Sequence, residues 1–169
     1  SLNKVSNKYI KKTKNFEKNK QHKKEYGDFG ISYHSRNLVE EQDFIEFRNY
    51  VANKSVEYLY DQGVKTDRYN YLMTELWVQE FGKKAGHHSS HIHGNQHVSG
   101  FYFLKCGAET SYPLFYDPRN GAMATKLDLR EHDRNQIFSD DPVINFKPQP
   151  GSLIIFPGYL RHEFVLDHG

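Results

Sequence analysis

Cysteine is almost missing from this chain: Cys106 stands alone in 169 residues, so no internal disulfide can form and a reducing compartment is the simplest expectation. No apolar run approaches the roughly 20 residues that a membrane-spanning helix needs, and no segment has the layout of a signal peptide. The expected protein is therefore soluble and cytoplasmic. Methionine is scarce as well, with two copies, whereas tyrosine and phenylalanine number twelve each. Aromatic excess at low overall hydropathy suits a β-rich fold with an aromatic-lined interior. The length is right for one domain with a sizeable core.

The net charge of +2 hides an asymmetry, because nine lysines against Glu17 and Glu25 give residues 1–26 a local +7. Such a segment is compatible with nucleic acid or another anionic surface, but Lys- and Asn-rich termini are ordinarily just solvated, and no partner is assigned to it. With Val5, Ile10 and Phe16 widely spaced, residues 1–28 are expected to be a basic flexible arm, and residues 29–169 a single domain. Within that domain, 29–70 reads as mostly helical and 71–169 as mostly strands. A helix is expected over 39–62, with Phe44, Phe47, Val51 and Leu59 on one face and Gly63 as its stop. Strands are expected over 72–81, 98–104, 113–116, 143–146 and 152–156. The polar stretch 117–142 is a candidate lid.

Five of the ten histidines fall within residues 87–97. Residues two apart on a strand face the same way, and imidazole is the commonest protein ligand for divalent metals, so His91 and His93 can serve one ion. His162, beyond the turn Pro150–Gly151 and the apolar run Leu153–Phe156, offers a third imidazole from a distant strand. His97 and Asp117 are weaker alternatives; an Asp before Pro-Arg-Asn-Gly is ordinarily a turn residue bonded to its own backbone. His87 and His88, beside the turn at Gly86, are expected to be exposed and without a role; the lone His22, His34, His132 and His168, each read as a surface or satisfied core residue, get no role either. Three metal architectures fit in different degrees. A metallo-β-lactamase type would continue H-x-H with x-D-H, and Asn95-Gln96 stands there instead. The cupin spacing, with Gly151, Pro157 and His162, is close, although His97 occupies its Glu position.

Taken in order, Trp77, His91-Ile92-His93, Ser99-Gly100-Phe101-Tyr102-Phe103-Leu104, Phe115-Tyr116-Asp117-Pro118-Arg119, the block Pro150 to Pro157 and Arg161-His162-Glu163 carry a resemblance over about residues 30–169. The chain resembles a branch of the 2-oxoglutarate- and iron(II)-dependent oxygenases found in marine bacteria and cyanophages. The resemblance implies a mainly β double-stranded β-helix (jelly-roll, cupin-like) with an N-terminal helical layer. It also implies Fe(II) and 2-oxoglutarate as cofactors, O2 as co-reactant and hydroxylation of a substrate that it leaves open. Alternatives outside that activity are a cupin-like metalloprotein, such as a three-His dioxygenase or isomerase, and a non-catalytic binding module.

Where the wider family has a carboxylate two after the first histidine, this chain has His93, so either three imidazoles hold the iron or Asp117 supplies a carboxylate. The family also clamps 2-oxoglutarate with a basic residue after the last histidine. Val165–Gly169 is short for that, so the expectation is a natural chain continuing past Gly169 with an Arg or Lys, or a clamp by Arg119 or Arg161. Strands 101–104 and 153–156 are expected to line opposite sides of one barrel, with Phe101 and Phe103 sharing a face.

Overall fold

Leu2, Val5, Ser6, Tyr9, Ile10 and Thr13 recur at three- and four-residue spacing, and in the computed structural model they form the inward stripe of a helix, α1 (Leu2–Asn15). Tyr9 and Ile10 are buried, the Tyr9 ring lying 5.5 Å from Phe44. The Tyr9 hydroxyl donates to Glu41 at 2.7 Å, and that bond to a carboxylate pushes its pKa up to about 12. Lys8 pairs with Asp43 at 2.8 Å. Residues 1–28, expected as a flexible arm, thus hold α1 and a second helix, α2 (Lys20–Tyr26). The stripe escapes an apolar count because Ser6, Tyr9 and Thr13 carry hydroxyls, and burying Tyr9 works only because Glu41 receives its proton donor.

The structure describes residues 1–15, 20–27, 29–82, 84–119, 127, 137–138 and 141–166. They fall into two units, Ser1–Ala85 and Gly86–Gly169. In the first, Ile31, Tyr33, Leu38, Phe44 and Val78 are buried. Strand β1 (Ser32–His34) pairs antiparallel with β2 (Gln79–Phe81). The strand expected over 72–81 is cut to its last three residues, and what precedes it is held by two separate backbone bonds, from the Ser35 and Leu38 N–H groups to the Val78 and Leu76 carbonyls, together with side chains. Asn37 Oδ1 accepts from the backbone N–H groups of Val39 and Leu76, Asn37 Nδ2 donates to the Thr74 carbonyl, and Ser35 Oγ accepts from the Val78 N–H. The expected helix over 39–62 is a 3-10 turn at Gln42–Phe44 followed by α3 (Ile45–Asp61), ending at Gly63 with φ +84°.

The second unit is built of strands. Its six described ones are β3 (His88–His91), β4 (Val98–Tyr102), β5 (Pro113–Tyr116), β6 (Val143–Asn145), β7 (Leu153–Pro157) and β8 (His162–Phe164). One sheet runs β3-β8-β5-β6 and the other β4-β7, with every pairing antiparallel. Rings from both sheets meet between them: Phe101 lies 4.8 Å from Phe164 and 6.2 Å from Phe115, and Phe156 lies 5.0 Å from Phe115. Face-to-face sheets joined by interdigitating aromatic rings make this unit a β sandwich. Phe101 and Phe103 do share the inward side, each contacting Phe164.

Strands β4 and β7, expected on opposite sides of a barrel, are instead bonded neighbours, with Val98 opposite Pro157 and Tyr102 opposite Leu153. Gly100 makes that close pairing: a Cβ there would lie 2.7 Å from the Ile154 carbonyl oxygen. The candidate lid over 117–142 lies mostly outside the described residues, as do Asp167 to Gly169. Among the described residues no helix is long and apolar enough to cross a membrane.

Candidate metal centre

Antiparallel register sets two of the histidines directly across from one another. His91 ends β3 directly opposite His162 at the start of β8, with ring centroids 4.4 Å apart. His93 lies two residues beyond the end of β3, in a segment that the backbone fixes: its N–H donates to the Gly158 carbonyl at 2.9 Å, and the Gly158 N–H donates to the His97 carbonyl at 3.1 Å. The His93 ring comes within 5.1 Å of both His91 and His162. One potential ligand atom from each of the three lies within 4.8 Å of the others, near enough for small ring rotations to close them on one ion. They are the only group of three or more His, Cys, Asp or Glu with that geometry among the described residues.

Hydrogen bonding selects the donor atoms. His91 Nδ1 lies 2.7 Å from the Ser89 carbonyl and His162 Nδ1 lies 2.8 Å from the Leu160 carbonyl. A carbonyl can only accept, so each Nδ1 carries the hydrogen and each Nε2 presents a lone pair. A second partner that fixes tautomer and ring plane is the usual support of a metal-bound imidazole. His162 is fully buried, yet its Nε2 has no hydrogen-bond partner among the described residues. An orphaned lone pair in an aromatic interior is costly unless something electrophilic takes it, and a divalent cation does so. The residues present therefore fit a divalent metal.

The surroundings keep this donor neutral. Phe156, Phe101 and Phe115 stand 4.8, 5.3 and 5.9 Å from the His162 ring. Burial lowers its pKa to about 4, with smaller contributions from His91 and His93 and against the opposing pull of the Leu160 carbonyl. In the metal-free protein the unfolded chain takes up this proton near pH 6.5 and the folded one only near pH 4, so the unfolded state binds more protons between them. Stability is then full above pH 6.5 and falls by up to about 3 kcal/mol as pH drops toward 4. Urea unfolding in chelator at pH 7 and pH 4.5 reads this directly; His162→Phe should flatten the difference.

The other sequence candidates stand elsewhere. Both Asp117 oxygens are engaged by Arg119, whose Nη2 and Nε donate at 2.7 and 3.0 Å and whose backbone N–H donates at 2.8 Å. Those bonds hold the Asp117 carboxyl below the usual range and make it the closing residue of a turn over Pro118. The same contacts occupy the Arg119 guanidinium. Arg161 is exposed and precedes His162 directly, so alternation turns it to the opposite face of the sheet. The His97 ring is exposed while its carbonyl serves Gly158. His88, expected to have no role, stacks on His91 at 4.3 Å. No signal short of the register shift in β3 could have revealed that.

Residues 75–168, more than half of the chain and the stretch that contains all three histidines, match the model of the family described as "Putative 2OG-Fe(II) oxygenase". No curated protein matches the sequence. The matched stretch holds the three converging imidazoles, and the chain belongs to the 2-oxoglutarate- and iron(II)-dependent oxygenase family.

Proposed function

We propose that His91, His93 and His162 hold Fe(II) in this oxygenase through one imidazole nitrogen each, that the β sandwich is a double-stranded β-helix, and that the enzyme hydroxylates a C–H bond of its substrate. The observation that carries the ligand assignment is the buried His162 Nε2, which has no hydrogen-bond partner among the described residues, on a ring that shares a ligand-sized space with His91 and His93. Bound there, the metal supplies the chemistry by which 2-oxoglutarate and O2 become succinate and CO2 while the second oxygen atom enters the substrate as a hydroxyl. The chain's own part would be to supply three imidazole donors, leaving further positions for the co-substrates. The Ser89 and Leu160 carbonyls hold two of the rings in the ligating tautomer. The wall of Phe101, Phe115 and Phe156 keeps water from the His162 side. Three imidazoles bring no negative charge, so the occupied site is one unit more positive than one with a carboxylate ligand.

Iron analysis of single variants, paired with O2-dependent succinate formation, tests the assignment. His91→Ala, His93→Ala and His162→Ala should each lose bound iron. Asp117→Asn should keep Fe(II) affinity within about threefold of wild type, because its oxygens serve Arg119. Full iron in His93→Ala, or loss of iron in Asp117→Asn, would move the third ligand to the carboxylate.

A further inference from the structure

The register of β3 against β8 contains a step. His88 pairs with Phe164 and His91 with His162, so three residue steps on one strand answer two on the other. One extra residue, at Ser89-Ser90, makes a β-bulge. In an unbroken strand, residues three apart face opposite sides of the sheet, and His88 would point away from His91. The bulge cancels that half-step. His162 and Phe164, two apart and both buried, share the inward face, and their partners His91 and His88 follow them onto it.

We infer that His88 is a positioning residue for the metal centre, holding the His91 ring in its ligating plane by stacking on it. This rests on the reading of His91 as an iron ligand. The two rings lie 4.3 Å apart with planes 29° from parallel, while His162 meets His91 edge-on at 4.4 Å and 60°. His91 is therefore flanked by a ring contact on two sides. It needs the support, because unlike His162 it is only partly buried and a half-exposed side chain keeps more of its rotational freedom. The same bulge supplies the Ser89 carbonyl that accepts from His91 Nδ1, so one inserted residue provides both the tautomer lock and the stacked wall. His88 stands outside the group of residues whose ligand atoms converge, which is why its role is assigned to the ring face and not to a bond with the metal.

Titration of the intact metal-free protein with Co(II), followed by its ligand-field absorption, separates the possibilities without turnover. His88→Phe keeps a flat ring on His91 and should bind Co(II) within about threefold of wild type with an unchanged spectrum. His88→Ala should bind about tenfold more weakly, the lower end of the effect of losing an outer-shell support. Melting of the metal-free forms shows whether that loss is local. If His88→Ala does not fold, His88→Leu, which fills the volume without a ring, takes its place with the same expected weakening. Should Phe bind as weakly as Ala with a shifted spectrum, His88 is a ligand and the stacking role is overturned. Should Ala or Leu bind as tightly as wild type, His88 does nothing for the metal. A wild-type protein that takes up no Co(II) would bring down the iron reading first, and this role with it.

Discussion

Replacing His162 with alanine is expected to cut both Fe(II) affinity and 2-oxoglutarate-dependent succinate formation by roughly a hundredfold or more, since even an outer-shell partner is worth 10–100-fold and His162 is the proposed ligand. The companion His162→Phe should lose the same function while leaving the metal-free fold at least as stable at pH 5. Its ring would enter an interior already lined by Phe101, Phe115 and Phe156, at 4.8 to 5.9 Å from the present imidazole. It would remove a buried nitrogen that has no partner among the described residues and a group that resists protonation. The cost is one hydrogen bond to the Leu160 carbonyl, worth about 1 kcal/mol. Function and stability moving apart is the mark of a residue kept for chemistry rather than for packing. Iron analysis by metal content and thermal melting in chelator measure the two sides; iron retained by His162→Phe would overturn the ligand assignment.

The contrast between His93 and His88 explains how far the sequence could be read. The H-x-H pattern brings His91 and His93 into one group on period-two reasoning, yet β3 stops at His91 and the backbone bonds of Gly158 are what bring His93 in. The outcome agrees with the pattern for a different local reason. For His88 the same reasoning puts the ring on the wrong face, because a bulge at Ser89-Ser90 leaves no compositional trace: two serines are as ordinary in a regular strand edge as in an irregular one. Several strands were legible from short apolar and aromatic runs between turn signals, as at Val98–Tyr102 and Pro113–Tyr116, although only the end of the expected 72–81 strand is one. Which strands pair was not, since β4 and β7 are separated by some fifty residues and nothing local encodes a partner so far away. Helix α1 was missed for a third reason, a buried stripe made partly of hydroxyl-bearing side chains whose partners, Glu41 above all, lie far along the chain.

Gly158→Ala is expected to unfold the site's support and to weaken iron binding together, with a stability loss of about 2–4 kcal/mol. Gly158 is buried in the turn between β7 and β8, and its φ is not in the left-handed region, so backbone freedom is not what the position demands. Space is. A Cβ there would fall on the Gln96 carbonyl oxygen, with the Gln96 carbonyl carbon 3.0 Å and the His93 carbonyl oxygen 3.3 Å away. Those neighbours are backbone, which cannot swing aside as a side chain would. Relief requires the 93–97 segment to move off the turn, and the bonds that run through Gly158 to His93 and His97 must lengthen with it. His93 would then retreat from His91 and His162, now 5.1 Å from each. Denaturant unfolding of the metal-free protein and Fe(II) titration of the same variant should therefore both shift. A variant that melts early but binds iron normally would show that His93 does not depend on this contact, and with it the view that the turn at Gly158 sets the third ligand would fall.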